Sequence, residues 1–297
     1  MAEDRNAIGA WRRPRWNGAL LAGTALLLLL VLIALAAPWL GTVDPLFAGP
    51  TSRDRAPLAY GELLGADGES IKHRFVMGSD SSGRDIYSEV VYGTRAALAI
   101  GALAAAIALT AGLALGGVAG LVRAVDRLLG PLLEALAAIP ALLVALTLVA
   151  VRQGTLASLA TAVALAAVPG AARLVRTRVR ALRDEPYVEA ELALGTPLWR
   201  VMWRRVSWRA AAPLVARGSR IAATAVLAEA ALSFLGVGLA PDIASWGQVM
   251  GEGRAHFEAA AYRIFFPALF LTATLLALEL LAAGLHDALD RPALEDA

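Results

Sequence analysis

Long apolar stretches constrain this chain more than any other feature. A helix that crosses a bilayer needs about 20 mostly apolar residues, and six stretches of the sequence approach or exceed that length. They are Gly18–Val43, Ala96–Val122, Leu128–Val151, Gly154–Ala172, Ile221–Ala240 and Ile264–Leu285. Hydrophobic residues make up 58% of the chain and charged residues only 18%, less charge than a soluble domain carries. The sequence therefore predicts an all-α membrane protein with six transmembrane helices.

The polar segments between these spans divide the chain and orient it. Residues 1–43 hold the N-terminus and the first span, residues 44–95 form a loop, and residues 96–297 form a core domain of five spans. Arginine is concentrated at the N-terminus, between the second and third spans, and most densely in residues 173–220. Because arginine and lysine collect in cytoplasmic segments next to spans, we expect both termini and the 173–220 loop in the cytoplasm. The 44–95 loop then lies outside.

The first span has an alternative interpretation as a cleaved signal peptide. Arginines precede it, and Ala34–Ala37 offers the small residues of a cleavage site. Its apolar run is longer than the about 7–15 residues of a signal-peptide core, so we expect the span to be retained. Cleavage would leave five spans and place the N-terminus outside.

Three prolines lie inside apolar stretches, at Pro140, Pro169 and Pro267. A proline frees a backbone carbonyl and bends a membrane helix, which is tolerated where a neighbouring helix or a wet cavity satisfies the freed group. Plain helix packing and a bend beside a translocation pathway both remain open for these prolines. Glycines in the second span indicate close helix packing.

Three carboxylates also lie in predicted spans. Glu134 and Glu279 lie near span ends, where Glu134 can reach solvent or pair with Arg127, whereas Glu229 lies near the middle of the fifth span. A membrane-embedded carboxylate is a functional candidate by default, as a proton or cation site. A proton relay usually places several such groups along one path, so we expect Glu229 to bond to a neighbouring helix or subunit instead.

No catalytic or metal motif occurs in the sequence. There is no cysteine, which excludes disulfides and thiolate metal sites. A Walker A sequence, a His-x-x-x-His pair and a Gly-x-Ser-x-Gly turn are all absent. The chain is therefore expected to have no catalytic residues, no metal and no cofactor of its own, and any energy for transport must come from a partner.

A basic, amphipathic segment, YVEAELALGTPLWRVMWRR, occupies residues 187–205. Apolar residues on both sides of Gly195 can form the faces of two short helices. Glycine permits a positive φ at a helix C-terminus, and Pro197 suits the start of the next helix. An element lying on anionic lipid would explain the arginines, but Glu189 and Glu191 beside a tight turn fit a protein partner better. We predict a helix–turn–helix elbow that contacts a protein.

Several motifs, in chain order, resemble the permeases of the dipeptide, oligopeptide and nickel ABC importer family. Met77–Gly101 resembles the segment before that family's second span. Glu189–Gly195, which reads EAELALG, is similar to the EAA loop: Glu-Ala-Ala, three residues, then Gly. Leu227–Arg254 resembles the exit of the fifth span, and Gly284–Pro292 resembles the C-terminus. The resemblance covers nearly the whole chain.

The resemblance implies a type I ABC importer permease architecture in the bacterial cytoplasmic (inner) membrane. It implies one permease subunit of an ATP-driven importer, with di- or oligopeptides as the expected cargo. The elbow would be a coupling helix that docks in a cytoplasmic ATPase. The residues implied in this contact are Glu189, Ala190, Glu191, Leu194, Gly195, Leu198 and Arg200. The candidates for the translocation pathway are Pro140, Pro169 and Glu229.

The partners follow from the same resemblance. They are a second homologous permease subunit, two cytoplasmic ATPase subunits or domains, an extracytoplasmic solute-binding protein and the lipid bilayer; nucleic acid is not a partner. ATP and Mg would be bound by the ATPase subunits. Two positions depart from the family pattern: Glu191 stands where the family has Ala, and Trp208 stands where it usually has Pro, with Pro213 following.

Other functions remain open on the sequence alone. Within the family, the cargo could be a nickel chelate or another small solute. A proton-coupled secondary carrier would use Glu229, but such carriers often contain internal inverted repeats, and none is evident here. A membrane-anchored scaffold without transport is a third possibility.

Overall fold

The computed structural model describes residues 17–64, 69–140, 143–144, 146–148, 154–183, 185–197, 200 and 211–290. This part of the chain is mostly helical. Its α-helices are α1 (Gly18–Ala36), α2 (Ile86–Leu121), α3 (Arg123–Ala137), α4 (Leu156–Arg183), α5 (Pro186–Ala193), α6 (Ala211–Phe234), α7 (Trp246–Gly253) and α8 (Tyr262–Asp290). Its strands are β1 (Ala59–Leu64) and β2 (Ser70–Phe75). Short 3-10 turns lie at Ala37–Trp39, Pro50–Ser52 and Arg254–His256.

Four of the six predicted spans coincide with helices that are long and apolar enough to cross a membrane. They are Gly18–Trp39, Ile86–Leu121, Leu156–Ala181 and Tyr262–Ala288. The predicted third and fifth spans have no such helix in the described residues. Helix α3 ends at Ala137, shortly before Pro140, so the predicted continuous third span is interrupted there. Helix α6 ends at Phe234 and contains Arg217, Arg220 and Glu229, which lower its mean hydropathy.

Polar segments extend two helices beyond the apolar stretches. Helix α2 begins at Ile86, ten residues before the predicted start at Ala96. The reason is a cap: the Asp85 carboxylate accepts a hydrogen bond from the backbone N–H of Ser88 at 3.0 Å, as an N-cap does. Helix α4 likewise continues to Arg183, well past the apolar stretch that predicts it.

The 44–95 loop carries the one correction to the all-α expectation. Strands β1 and β2 pair as an antiparallel hairpin, with Ala59 opposite Phe75 and Leu64 opposite Ser70. Leu63 and Phe75 are fully buried on one face of the hairpin. The loop also contacts the helices: the hydroxyl of Tyr262, at the start of α8, donates a hydrogen bond to the carbonyl of Arg55 at 2.9 Å.

The long helices run alternately up and down and so give the bundle two ends. The hairpin end carries β1, β2, α7 and the starts of α2 and α8. The elbow end carries α5, the α2–α3 connection and both limits of the described chain. There the side chain of Asn17 donates to the carbonyl of Gly284 at 3.3 Å, which joins the start of α1 to the last turns of α8.

The core lies where α2 packs along α4. Gly112, Gly116 and Gly120 face α4, and a Cβ on Gly116 would lie 2.8 Å from the Cβ of Val175. Small residues allow this close approach of two helices. Ile100, Leu159, Val163 and Leu232 are fully or almost fully buried in the same core, which also takes in α6. The glycine cluster of the second span therefore has a packing role.

Candidate functional site

The elbow projects from the end of α4. After Arg183 the chain forms the short helix α5 (Pro186–Ala193) and then a turn at Leu194–Thr196. Val188 is fully buried and anchors α5 to the bundle. Leu194, by contrast, leaves 85% of its surface exposed. An exposed leucine on a tight turn is an apolar contact available to another protein.

Gly195 closes α5 by a defined geometry. Its φ is +84°, the positive value that the sequence predicts, and the N–H of Thr196 donates to the carbonyl of Glu191 at 3.1 Å. This bond, from the second residue after the cap to the third-last residue of the helix, is that of a Schellman motif. A Cβ on Gly195 would meet nothing within 4 Å. The requirement for glycine is therefore conformational and not steric.

The sequence-predicted coupling residues are placed to different extents. Glu189 and Ala190 lie on α5, and Glu191 lies in its last turn. After the turn, the N–H of Arg200 donates to the carbonyl of Pro197 at 2.9 Å, and the Arg200 side chain is exposed. The described members of this set thus all lie in one short elbow. Leu198 and Trp208 lie outside the described residues.

The last turns of α4 carry arginines on two faces. On one face, Arg176 and Arg180 both pair with the carboxylate of Asp126 on α3, which is buried. Arg176 also lies 3.4 Å from Glu134, so the Glu134 partner is Arg176 and not Arg127. A Cβ on Gly130 would lie 2.6 Å from the Arg176 guanidinium, so glycine makes room for it. These ion pairs fasten α3 to the root of the elbow.

Glu229 is held by two hydroxyls near the hairpin end. Its Oε1 accepts a hydrogen bond from Ser233 at 2.8 Å and another from Ser245 at 2.6 Å, and the residue is 1% exposed. The Ser245 oxygen also caps α7, because it accepts from the N–H of Gly247 at 3.1 Å. Glu229 thus joins α6 to the start of α7. This bonding agrees with the structural role expected from the sequence.

The other sequence candidates are dispersed. Pro169 lies inside α4 next to Gly170, whereas Pro140 follows the end of α3. Glu279 on α8 lies 3.8 Å from Arg220 on α6, at the elbow end. Pro140, Pro169 and Glu229 thus lie on three different segments of the chain, and their shared role in a pathway stays a prediction.

A carboxylate cluster at the hairpin end was not predicted. Asp80 is 2% exposed, and its Oδ1 accepts from the backbone N–H groups of Ser82 at 2.9 Å and Arg84 at 2.6 Å. Burial raises the pKa of Asp80 above its ordinary value, and the N–H and charge of Arg84 offset this only in part. The same burial, with Asp80 as a neighbour, raises the pKa of Glu252 on α7. The Gly-Ser-Asp pattern before α2 was the available signal.

Comparison with known proteins places the chain in a family. Residues 95–293, more than half of the chain, match the family described as binding-protein-dependent transport system inner membrane component. A probable peptide ABC transporter permease of Sinorhizobium fredii is 37% identical over 270 residues, which cover 91% of this chain and 88% of the relative. The di/tripeptide transport system permease DppC of Pseudomonas aeruginosa is 33% identical over 288 residues, which cover 97% and 92%.

A solved structure is similar in fold. The methionine ABC transporter MetNI, in an inward-facing conformation, contains a chain that matches with a TM-score of 0.54 and 19% identity. The match covers 68% of this chain and 97% of that chain. At this identity, the likeness concerns the arrangement of helices alone.

Proposed function

The chain belongs to the family of binding-protein-dependent inner membrane transport components, and from this premise we propose that it is one permease subunit of an ATP-driven importer of peptides. The relatives named as peptide permeases, similar over nearly their whole length, support the cargo class. One structural observation carries the transport mechanism: an elbow outside the apolar helices holds an exposed leucine beside a glycine turn.

The proposed topology has six spans, with both termini and the elbow in the cytoplasm. Support comes from the arginines, which are dense in residues 173–220, and from the placement of residues 17 and 290 at the same end as α5. The two remaining crossings would be the third span, predicted at Leu128–Val151, and α6.

The elbow would transmit the ATPase motion to the bundle. Two cytoplasmic ATPase subunits would bind ATP and Mg, and their closure would push on α5. Leu194 and the acidic residues Glu189 and Glu191 would contact the ATPase, with Arg200 on the far side of the turn. Because α5 follows α4 after only two residues, a push on the elbow would move the helix that packs along α2. A second permease would complete the pathway, and an extracytoplasmic binding protein would deliver peptide.

A proton-coupled carrier mechanism gains no support from Glu229. Its carboxylate oxygen already accepts two hydrogen bonds from serines, and this pairing serves the junction of α6 with α7. A carboxylate that exchanges protons along a path needs neighbours that pass them on. Ser233 and Ser245 are instead engaged as partners of Glu229 and as acceptors from backbone N–H groups.

Two measurements test this function. The chain has no cysteine, so single cysteines at Arg53 and Leu194, both exposed, can be probed with a membrane-impermeant thiol reagent on intact cells. Labelling at position 53 and not at 194 is expected; the reverse would overturn the topology. The chain should also co-purify with an ATPase and, reconstituted with its partners, accumulate dipeptide only when ATP is supplied. Uptake of a nickel chelate without uptake of peptide would overturn the cargo class.

A further inference from the structure

The second arginine face of α4 is not neutralised like the first. Arg173 and Arg178 on α4 line a cavity of about 540 Å³ together with Arg217 from α6. No Asp or Glu lines this cavity among the residues that the structure describes. On the adjoining face of α4, by contrast, Asp126 pairs with Arg176 and Arg180. We call the cavity lined by Arg173, Arg178 and Arg217 the open arginine cavity.

Arg217 lines this cavity and is held in place by close packing. Its guanidinium lies against Gly170 of α4, where any Cβ would collide with Nη2. Its Nε is buried and has no hydrogen-bond partner. A buried donor without a partner costs free energy, so an acceptor supplied from outside the chain would be stabilising here. An adjoining smaller cavity adds an apolar wall from Leu285 and Arg220, which also lies 3.8 Å from Glu279.

The sequence that contributes the cavity's residues is poor in acids. Between Glu191 and Glu229 the chain has no Asp or Glu, but it has six arginines and three tryptophans. Between Glu134 and Asp184 it again has no acid. Tryptophan and arginine together are typical of a membrane interface, where arginine meets anionic lipid. The composition therefore indicates lipid as the source of the missing negative charge.

We propose that the open arginine cavity binds the phosphate group of an anionic phospholipid. Guanidinium groups match the oxygens of a phosphate by paired hydrogen bonds, and three of them converge on this cavity. Leu174 adds an apolar wall, which suits the glycerol and the first acyl carbons. The cavity lies where the apolar part of α4 ends, which is the level of a headgroup. The proposal goes beyond the transport function and uses it only in assigning this end to the cytoplasmic leaflet.

The test measures lipid bound to the full chain, purified in mild detergent with whatever partners accompany it. Phosphatidylglycerol or phosphatidylcholine is added, and bound lipid is counted by native mass spectrometry. Preferential retention of phosphatidylglycerol is expected. Arg173→Gln with Arg178→Gln, two exposed side chains, should lower that retention by about tenfold, as expected for the loss of charge-assisted contacts. Arg53→Gln removes an exposed arginine at the hairpin end and should leave retention unchanged.

A second variant, Arg217→Gln, removes the buried donor and should lower retention by a similar factor; its melting temperature identifies misfolding. Equal retention in the wild-type chain and the Arg173/Arg178 variant would overturn the proposal. So would displacement of phosphatidylglycerol by millimolar inorganic phosphate, which would indicate a free-anion site, or by the ATPase, which would indicate a protein interface. Peptide uptake is measured in parallel, so that failure of the lipid site and failure of the transport function are separate results.

Discussion

Two glycine turns of the same kind lie at opposite ends of this bundle. Gly195 ends α5 at the elbow end with φ +84°, and Gly236 follows α6 at the hairpin end with φ +80°. Each turn has the same long backbone bond: Thr196 donates to Glu191 at 3.1 Å, and Val237 donates to Leu232 at 3.0 Å. A Cβ would meet nothing within 4 Å at either glycine. Local geometry therefore does not distinguish the two turns.

The surroundings of the two glycine turns do distinguish them. Just beyond Gly236, the N–H of Leu239 donates to Ser233 at 3.2 Å, and the carbonyl of Leu239 accepts from Gln248 of α7 at 2.7 Å. Trp246 of α7 in turn donates to the carbonyl of Val90 on α2 at 2.9 Å. Next to Gly195, Leu194 is 85% exposed. Leu235 and Val237 beside Gly236 are exposed too, at 62% and 43%. The difference therefore lies in the residues that follow the turn, which at Gly236 are bonded to α6 and α7.

The difference teaches that the same helix stop serves two purposes. At the hairpin end it fixes the junction of two helices, so substitutions there should reduce the stability of the chain itself. At the elbow end it holds a contact that projects outward. Substitutions there should leave the stability of the chain largely unchanged and weaken its binding or coupling to the ATPase. The following changes are ordered by the expected loss of thermal stability.

Gly247→Leu should cause the largest loss. A Cβ on this α7 glycine would collide with the carbonyl oxygen of Ala230 and lie 2.7 Å from the Cβ of Ser233. Overpacking against a backbone that cannot move aside costs at the upper end of about 1–3 kcal/mol. Gly117→Leu is the matched control, because a Cβ on this α2 glycine meets nothing within 4 Å. Thermal unfolding in detergent compares them, and equal melting temperatures would refute the packed hairpin end.

Glu229→Ala should have the next largest effect. It leaves the hydroxyls of Ser233 and Ser245 without their acceptor, at a cost of about 1–3 kcal/mol. Glu229→Gln keeps an oxygen in place and should lose much less stability, while ATP-dependent uptake and its pH dependence remain unchanged. If Glu229→Gln assembles and binds ATPase but abolishes uptake, the carboxylate has a transport role and the structural assignment is wrong.

Asp80 should make a smaller, pH-dependent contribution to the folding stability of the chain at the hairpin end. Burial raises its pKa in the folded chain above the ordinary 3.8, so the folded chain binds the proton more tightly than the unfolded chain does. The stability contribution is therefore greatest at low pH and is lost as the pH rises through the window above 3.8. The charged and titratable groups near Asp80 are Arg84, Glu89, Glu252 and Tyr262.

The measurement is the melting temperature from about pH 8 down to about pH 4. Asp80→Asn keeps the oxygen that accepts from Ser82 and Arg84 but cannot titrate, so its profile should be flatter than that of the wild-type chain. Glu258→Gln, at an exposed position, is the control and should leave the slope as it is. A slope unchanged in Asp80→Asn would assign the pH dependence to other groups.

The sequence predicted the elbow end better than the hairpin end, for a physical reason. Gly195 and Pro197 mark a turn by their own backbone preferences, and dense arginine marks the interface around it; both signals are local. The same locality explains the four spans that coincide with long apolar helices. Residue type alone was therefore sufficient for these features.

The remaining features depend on contacts between distant residues. Helix α2 begins at Ile86 because Asp85 caps it, although Glu89 and Arg95 interrupt the apolar pattern. The β1–β2 hairpin has only one well-buried face, and α7 is a short helix whose burial follows from Trp246 reaching Val90. The division of the α4 arginines into a neutralised face and an open one depends on where α3 and α6 pack, which periodicity does not reveal.

The elbow should show the smallest loss of stability and the clearest loss of function. Gly195→Val places a β-branched residue at positive φ, a conformation that such residues strongly disfavour, so the turn should shift. Gly236→Val imposes the same strain at the hairpin end and is the matched control. Insertion and melting temperature should change less in Gly195→Val, because a shifted turn at Gly236 would also disturb the bonds of Leu239 to Ser233 and Gln248.

The most direct measurement is ATPase co-purification together with ATP-driven peptide uptake in reconstituted vesicles, for these two variants side by side. Gly195→Val should remain folded yet bind the ATPase poorly, or bind it without transporting peptide. Gly236→Val should lose thermal stability but keep its ATPase contact. Normal ATPase binding and normal uptake in Gly195→Val would contradict the account, because they would make the elbow glycine a passive turn and place the coupling elsewhere in the chain.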